Sequence, residues 1–484
     1  MISFSIIFYI IGFILLYSFI KKNTRFSKND PPLCAISLPI IGGLYKLGVD
    51  PSEDLLRLSR KFGKIMSIWY GDNYTVIIND PGLIEEAFNK NHEAFGDRPF
   101  VPSLRFMCDD FNDLVLSNYT NWKPLRQQMI GQFTRTKLKA IAPAMETHSN
   151  HLVRKFKEHA ISGEPLDPVP YLRKYTFSVI LKMVLNIDMA YEEEPNTGMM
   201  LKMFTPLSEL VRKMAAGAIF DTIHALSPIY YKIAKRFNHP ISEIKVMIRG
   251  FIKEHKETID IDNPRDFLDM MISNQYEDDL IVNLVFDLLL AGVETSATTL
   301  SWFVLLMANY QEEQEKVRSE VRTAFPDSLD SIQPTDRTNC PYTSAVIKES
   351  MRLKPIGPFG LPRISRYDTM IGEYFIPKGT QVMANFYAVL HDHYPNGTEF
   401  NPSRYIGDHS LTNTGKDNWM PFSIGPRACL GSSLAIEEIW MAVAKIFSNV
   451  KVTSIDGSKL DETSQFGMAV QPLHAHKYKF EIVK

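Results

Sequence analysis

The sequence predicts a mainly helical α+β chain, one large helix-rich unit carrying small β-sheets. Three observations lead there. From about Asn121 to Tyr310 the pattern is mostly helical, and it closes on Leu280 to Tyr310, a largely apolar helix candidate on the order of 45 Å long. β-Branched and aromatic residues cluster instead in Ile65 to Ile78, IMSIWYGDNYTVII, around Gly71-Asp72-Asn73, which reads as a β-hairpin. Short strand patterns return near the C-terminus, at Gly372 to Ala384 and Tyr478 to Val483. No Pro/Gly/Ser linker or low-complexity tract divides the chain after the first forty-odd residues, and no repeat shows at solenoid or propeller spacing. A single unit is therefore expected, although 484 residues by length alone suggest roughly three domains.

At the N-terminus, Ile2 to Ile20 (ISFSIIFYIIGFILLYSFI) carries no charge, and about 20 helical residues span the hydrocarbon core of a bilayer. Lys21, Lys22, Arg25 and Lys28 follow. No basic stretch precedes the run and no small-residue cleavage site follows it, so 1–20 is expected as a transmembrane signal anchor rather than a cleaved signal peptide. A core helix lacking a polar face would be unusual here. The basic flank places the chain behind it in the cytoplasm, on the endoplasmic reticulum if the cell is eukaryotic. Pro31-Pro32 and Pro39-Ile40-Ile41-Gly42 make 21–44 a stiff, basic hinge. Asp80-Pro81 then opens a helix, PGLIEEAFNK, with proline in its first turn. Asn283, Asp287 and Glu294 interrupt Leu280 to Tyr310 too often for a second membrane span, which leaves the central helix of a large core. Asn73-Tyr74-Thr75, Asn118-Tyr119-Thr120 and Asn396-Gly397-Thr398 match the glycosylation pattern but are silent in a cytoplasmic body.

Composition excludes some classes. A formal net charge of −2, from 53 basic and 55 acidic residues, carries no nucleic-acid footprint. Cys34, Cys108, Cys340 and Cys429 are far apart, with no CxxC pair and no zinc spacing. Four cysteines in so long a chain make no disulfide scaffold, and a reducing compartment is expected.

Chemistry concentrates in Phe422-Ser-Ile-Gly425-Pro-Arg427-Ala-Cys429-Leu-Gly431. Gly425 permits a tight turn with positive φ. Cys429 precedes SSLAIEEIWMAVAKIF, whose Ile436, Ile439, Trp440, Val443 and Phe447 recur at helical spacing, so the sulfur sits at a helix N-terminus that favours a thiolate. Gly431 leaves room for a flat ligand against the backbone, and Arg427 can reach an anionic group. A lone cysteine before a packed helix would be ordinary packing. Here every fixed position of FxxGxRxCxG is present, and the segment resembles the haem-binding loop of the cytochrome P-450 family. That resemblance implies Cys429 as the axial ligand of the haem iron, Arg427 on a haem propionate and Phe422 beside the sulfur. A thiolate ligand favours O–O cleavage.

Further motifs extend the resemblance over essentially the whole body from about Pro31. Glu349-Ser350-Met351-Arg352 matches the family's ExxR, whose i, i+3 spacing brings the two side chains together on a helix. Arg404, in Asn401-Pro402-Ser403-Arg404-Tyr405, is expected to complete a structural triad with Glu349 and Arg352. Trp122-Lys-Pro-Leu-Arg126 resembles the family's WxxxR helix, which makes Trp122 and Arg126 propionate ligands; Pro124 departs from the usual choice there and is tolerated in a first helical turn. Arg363 is a further expected propionate ligand. Ala291-Gly292-Val293-Glu294-Thr295-Ser296 matches (A/G)Gx(D/E)T(T/S). A mid-helix glycine costs about 1 kcal/mol relative to alanine, and close approach of a macrocycle and dioxygen at Ala291 and Gly292 would explain it. Glu294 with Thr295 is expected to form an acid–alcohol proton relay.

The resemblance implies a triangular, helix-rich cytochrome P-450 fold with small sheets, haem b (iron protoporphyrin IX) between the long distal helix and the Cys429 loop, and 45–484 as the catalytic domain. It implies a membrane-anchored monooxygenase that takes O₂ and NADPH-derived electrons from a diflavin reductase and oxygenates a hydrophobic small molecule. Specificity is expected from the loop after Arg98, from Phe286, Leu290 and Ala291, from Ile356 to Leu361, and from Phe466 to Val470, an apolar set suited to sterols, fatty acids, terpenoids or xenobiotics. Two rivals stay open: an oxygen-independent isomerase or dehydratase of lipid hydroperoxides, which needs no proton relay, and a non-catalytic haem sensor or carrier.

Overall fold

The computed structural model describes residues 4–24, 29–101, 104, 112–209, 219–234, 240–407, 410–411, 415, 417–467 and 469–483. Arg25, Lys28, Cys108 and most of 102–111 in the loop after Arg98 lie outside the described residues. The expected central helix is present as Asp278–Asn309 (α5 below). Asp278 and Asp279 in its first turn complement the helix dipole. It is long and apolar enough to cross a membrane, yet 78% of its most apolar window is buried inside the protein. Other elements pack along most of it, and this explains its largely apolar surface.

The helices that matter for the site, in chain order, are α1 (Phe4–Asn23), α2 (Tyr119–Met129), α3 (Arg135–Ser162), α4 (Val169–Leu185), α5, α6 (Pro341–Leu353) and α7 (Ser432–Asn449). α4 lies along α5, and α7 crosses behind both while packing on α3. Gly292 allows the first of these contacts. A Cβ there would come within 2.9 Å of Ile180 Cδ1 on α4, and Thr176 Oγ1 meets the Val293 carbonyl at 3.2 Å. The mid-helix glycine thus answers to helix packing as well as to the cavity it borders. Pro124 sits inside α2 rather than in its first turn.

The hairpin forms as read: β1 (Ile65–Tyr70) and β2 (Asn73–Ile78) pair antiparallel with Ile65 opposite Ile78 and Tyr70 opposite Asn73, around a turn at Gly71-Asp72 where Gly71 has φ +59°. The strand pattern at Gly372 to Ala384 divides in two, because Pro377 and Gly379 (φ +81°) turn the chain between Tyr374–Ile376 and Gln381–Ala384. The latter lies parallel to β2 and also pairs with the two-residue strand Arg363–Ile364, giving a four-stranded sheet. Near the C-terminus Val450–Ser454 and Tyr478–Ile482 pair antiparallel. The proline segment expected as a hinge runs beside β1, where Cys34 N donates to Ser67 O (2.9 Å) and Ser67 N to Pro32 O (2.8 Å). α1 extends to Asn23 and presents its apolar side chains outward; Phe8, Tyr9 and Phe13 are more than two-thirds exposed, at 77%, 75% and 71%.

Candidate functional site

The Cys429 loop folds as its residues dictate. Gly425 adopts φ +75°, and a Cβ there would come within 1.9 Å of the Phe88 carbonyl oxygen, so no other residue fits. Ala428 N donates to Gly425 O and Cys429 N to Phe422 O, each at 2.9 Å. Trp419 ties the loop to α6 by donating its indole N–H to Lys348 O (3.1 Å), and its ring meets that of Phe422 edge-on at 5.8 Å. Gly431 caps α7, and its amide donates towards Cys429. Burial pushes the Cys429 thiol pKa up, against the opposing pull of the Gly431 amide and the Arg126 guanidinium. The helix-terminus effect expected from sequence is present, but desolvation outweighs it. A thiophilic metal bound at the sulfur would favour the thiolate, and the Cys429 sulfur facing the cavity suits one.

Cys429 borders an internal cavity of about 370 Å³. Of the expected site residues, Trp122, Arg126, Ala291, Gly292, Thr295, Arg363, Phe422, Arg427 and Gly431 line the same cavity, whereas Gly425 shapes the loop and Glu294 faces elsewhere. A Cβ at Gly431 would meet only Phe133, at 3.8 Å, so the backbone lies open to a flat ligand.

Four guanidinium groups converge on this cavity: Arg126, Arg363, Arg427 and Arg98, the last not foreseen as a ligand. Among the described residues none of them has a carboxylate within ion-pairing distance. Arg427 donates to Ser117 O (2.6 Å) and lies 4.3 Å from the Trp122 ring centroid, but its Nε and Nη1 have no partner. Arg363 lies 3.7 Å from the Phe88 ring centroid and reaches Ile424 O at 3.3 Å; its Nε and Nη1 are likewise unpartnered. Arg98 is held by the carbonyls of Val115, Leu361 and Pro362. Arg126 donates to Ala428 O (2.9 Å) and so braces the loop itself. Burial, aided by the charges of Arg98 and Arg363, pushes Arg427 down to about 8, and burial pushes Arg363 well below its ordinary value. A guanidinium resists losing its proton. Two sets of idle donors facing a cavity therefore suit a ligand with two carboxylates, and haem with its two propionates fits that description.

Across the cavity, Thr295 Oγ1 donates to Ala291 O at 2.6 Å. Glu294 does not stand behind it in the same cavity. It borders an adjoining hollow of about 460 Å³, where Arg173 Nη2 approaches its Oε2 at 3.3 Å and its Oε1 has no partner. Thr295 borders both hollows. Two further cavity residues, Glu438 and Asp287, were not foreseen. Glu438 on α7 is 2% exposed, its carboxyl pushed up to about 8 by burial and hydrogen bonded with Ser296. Asp287 on α5 accepts from Leu114 N (2.9 Å) and Val115 N (3.2 Å), and burial raises its pKa well above the usual carboxylate range. Among the specificity residues, Ile356, Leu361 and Ala469 line the cavity, but Phe286 and Leu290 point into the core, and Asp287 and Leu288 take their place. On the same helix the expected Ala291, Gly292 and Thr295 do face the cavity, so the misplacement is confined to Phe286 and Leu290. Phe466 borders the adjoining hollow, and Met468 lies outside the described residues.

The expected triad is assembled. Arg352 Nε meets Glu349 Oε2 at 2.7 Å and Arg404 Nε meets Glu349 Oε1 at 3.0 Å, with the Glu349 and Arg352 side chains fully buried. Arg352 also donates to the carbonyls of Leu390 (2.7 Å), Gly397 (2.6 Å) and Glu399 (3.0 Å).

The chain was compared with known proteins. The family model described as Cytochrome P450 matches residues 31–480. Two Dictyostelium discoideum proteins are similar over nearly their whole length: Probable cytochrome P450 508D1 is 34% identical, covering 96% of each chain, and Probable cytochrome P450 519A1 is 31% identical, covering 96% of this chain and 97% of the relative. A solved zebrafish cytochrome P450 with progesterone superposes with a TM-score of 0.77 at 24% identity, covering 90% of this chain and all of that one.

Two outcomes are expected from this geometry. Gly425→Ala should lower stability by about 2 kcal/mol or more, from left-handed strain and the Phe88 contact together; an unchanged midpoint of thermal unfolding would contradict the loop geometry. Arg427→Met should leave the apoprotein at least as stable as wild type, since it removes an unpaired buried charge, yet speed haem loss to a haem acceptor roughly tenfold or more. Equal rates of haem loss would show that Arg427 holds no propionate.

Proposed function

The chain belongs to the cytochrome P450 family, whose members are generally haem-thiolate monooxygenases, and from that membership we propose that it inserts one atom of O₂ into a hydrophobic small molecule using NADPH-derived electrons. The observation that carries the reading is Cys429 in the wall of a cavity whose idle arginine donors match two propionates. When bound, haem b supplies the reductive activation of O₂. The protein's part is then to hold, orient and supply protons. Cys429 would hold the haem iron through its sulfur, with the Gly431 amide and Arg126 favouring the charged form. Arg363 and Arg427 would hold the propionates, joined by Trp122 and Arg126 in the same wall. Thr295, its hydrogen engaged by Ala291 O, accepts a hydrogen bond from a cavity water and so positions it as proton donor. Glu294, in the adjoining hollow beside Arg173, replenishes that water.

Outside Cys429 a depression of about 380 Å³ carries Arg135 and Arg337. Cationic groups there support docking of an acidic electron-delivering partner, a diflavin reductase. The exposed apolar surface of α1, followed by Lys21 and Lys22, supports a membrane anchor with the catalytic body in the cytoplasm on the endoplasmic reticulum. The substrate is an apolar molecule such as a sterol, fatty acid, terpenoid or xenobiotic. Progesterone with the zebrafish relative falls within that range.

Cys429→Ser should abolish the strongly red-shifted Soret band of the reduced carbon-monoxide complex; a folded, haem-loaded variant that keeps the band refutes the ligand assignment. Thr295→Ala should leave haem content and that spectrum unchanged, while NADPH consumption yields more hydrogen peroxide and less product. The loss of product should be up to about 10²–10⁴-fold, the usual worth of general acid–base help. Retained coupling would remove Thr295 from the proton path. Turnover of a lipid hydroperoxide by wild type without reductase or NADPH would favour the isomerase reading instead.

A further inference from the structure

Lys354 caps α6, its N–H donating to Ser350 O (2.9 Å), and Pro355 turns the chain away behind it. It lines the Cys429 cavity, yet nothing assigned to Cys429, Thr295 or Glu294 uses it. A lysine at such a place ordinarily lays its stem on apolar surface and turns its head to water. Here the head is held inside. Its Nζ donates to Glu462 O (2.8 Å) and lies 4.9 Å from the Trp302 ring centroid. These partners are fixed in turn: Trp302 Nε1 donates to Val470 O (2.9 Å), and Val470 N to Ile356 O (2.8 Å). α5, the chain around Glu462 and Val470, and the end of α6 therefore converge on one ammonium.

An ammonium carries three hydrogens, and Glu462 O takes one of them. The acids nearby are turned to other groups. Glu462 gives Lys354 its main-chain oxygen, while its Oε1 meets Asn309 Nδ2 (2.8 Å) and Lys459 Nζ (3.5 Å). Glu53 accepts from the Tyr387 hydroxyl, and Asp50 from Ser52 N (2.9 Å) and the Ser464 hydroxyl. Among the described residues no carboxylate lies within ion-pairing distance of Lys354. Burial pushes its pKa below the ordinary lysine range, against the pull of these acids. The arginines that suit the propionates are held by the 115–117 segment, the Phe88 and Trp122 rings and the Cys429 loop. Lys354, held by α5 and the Glu462 carbonyl, is a further cation in the same wall that the propionates do not account for. The wall around it is apolar or small: Met351 one turn before it, Ile356 just after, Ala469 next to Val470, and Thr299 one turn before Trp302. Along α5, Thr295 and Trp302 lie about 10 Å apart at the helical rise.

We infer that Lys354 is an anion anchor for the substrate: it takes the carboxylate of an elongated apolar acid, whose chain runs along α5 and offers a carbon remote from the carboxylate to the Thr295 and Cys429 end. The inference rests on the monooxygenase reading and narrows its substrate from apolar molecules in general to apolar carboxylates. The ammonium hydrogens left over suit the two oxygens of a carboxylate, and the contact is charge-assisted. An alcohol of the same chain offers one neutral oxygen and leaves the buried charge unpaired, so the site discriminates against it.

The test uses full-length, haem-loaded protein. Binding of decanoate, dodecanoate and tetradecanoate, each beside the alcohol of the same chain, is measured by equilibrium dialysis, with the shift of the Soret band as a second readout. In wild type at least one carboxylate should bind on the order of tenfold or more tighter than its alcohol, the weight of a charge-assisted hydrogen bond. Lys354→Met should erase that preference while leaving the affinity for the alcohol and the carbon-monoxide spectrum unchanged. Lys354→Arg should keep part of it. Should Lys354→Met not accumulate haem, Lys354→Gln retains a donor for Glu462 O without the charge and should show the same loss. No carboxylate preferred over its alcohol in wild type, or a preference that survives in the folded, haem-loaded Met or Gln variant, overturns the inference and leaves the monooxygenase reading standing. A wild type without the red-shifted carbon-monoxide band, or one that consumes no NADPH with a reductase, overturns that reading and the inference with it.

Discussion

Buried positive charge without a matching anion is the constraint around which this structure is arranged. Burial lowers the ionisation of Arg98, Arg363 and Arg427 along a single cavity wall, and the charge of Arg98 adds to the effect on the other two. Taking one ion out of water costs several kcal/mol even after relaxation, comparable with the whole stability of an ordinary domain, about 5–15 kcal/mol. The cluster persists because each cation is held by unrelated parts of the chain: Arg427 by the Ser117 carbonyl and the Trp122 ring, Arg363 by the Phe88 ring, Arg98 by three carbonyls. Those contacts draw α2, the segment before it, the Arg363–Ile364 strand and the Cys429 loop around one space. A dianionic ligand there would offset the unpaired charge, and its binding would then be linked to folding stability.

The Glu349–Arg352–Arg404 triad is the complementary case, a buried cluster already satisfied. Its carboxylate meets two guanidinium groups, and the hydrogens left over on Arg352 go to backbone carbonyls. Removing one member of such a set typically costs about 3–5 kcal/mol because the other is left charged and buried. The rigidity reaches the sulfur through α6, whose Lys348 carbonyl receives the Trp419 indole beside Phe422. One cluster is stiff without a ligand; the other waits for one. Together they separate holding the loop from binding in the cavity.

What was legible in the sequence follows from how local each signal is. The hairpin at 65–78 and the helix after Cys429 depend on neighbouring residues and were read with the right periods. The Gly425 turn was legible because a positive φ leaves a composition trace, although its cause, the Phe88 carbonyl, comes from far along the chain. On α5 the Ala291–Ser296 motif marked part of the cavity face, since Ala291, Gly292 and Thr295 line it. One turn earlier the run is apolar without a motif, so Phe286 and Leu290 could not be told from Leu288 as cavity residues. Arg98, Arg173 and Glu438 lie outside the motifs that were read; their roles depend on tertiary neighbours. A buried Glu438 among the apolar positions of α7 breaks the pattern of an amphipathic helix, and that break was the available signal. Lys22 was read with the other basic residues of its flank, and only the folded contacts to Pro39, Gly71 and Asp72 distinguish it.

α5 also works as a partition, and the direction of its hydrogen bonds constrains what Thr295 can do. Its hydroxyl hydrogen goes to Ala291 O, and Thr299 donates in turn to Thr295 O. Such back-bonding loosens a helix where it occurs, here beside Gly292. A hydroxyl whose hydrogen is engaged can still accept, so towards the cavity Thr295 offers an oxygen and not a proton. In the hollow beyond Thr295, Glu294 has one oxygen near Arg173 and the other unpartnered. Thr295 borders both hollows, as Ala469 does, whereas Glu294 borders only the second, so one step along the helix separates a hydroxyl that meets the Cys429 cavity from a carboxyl that does not.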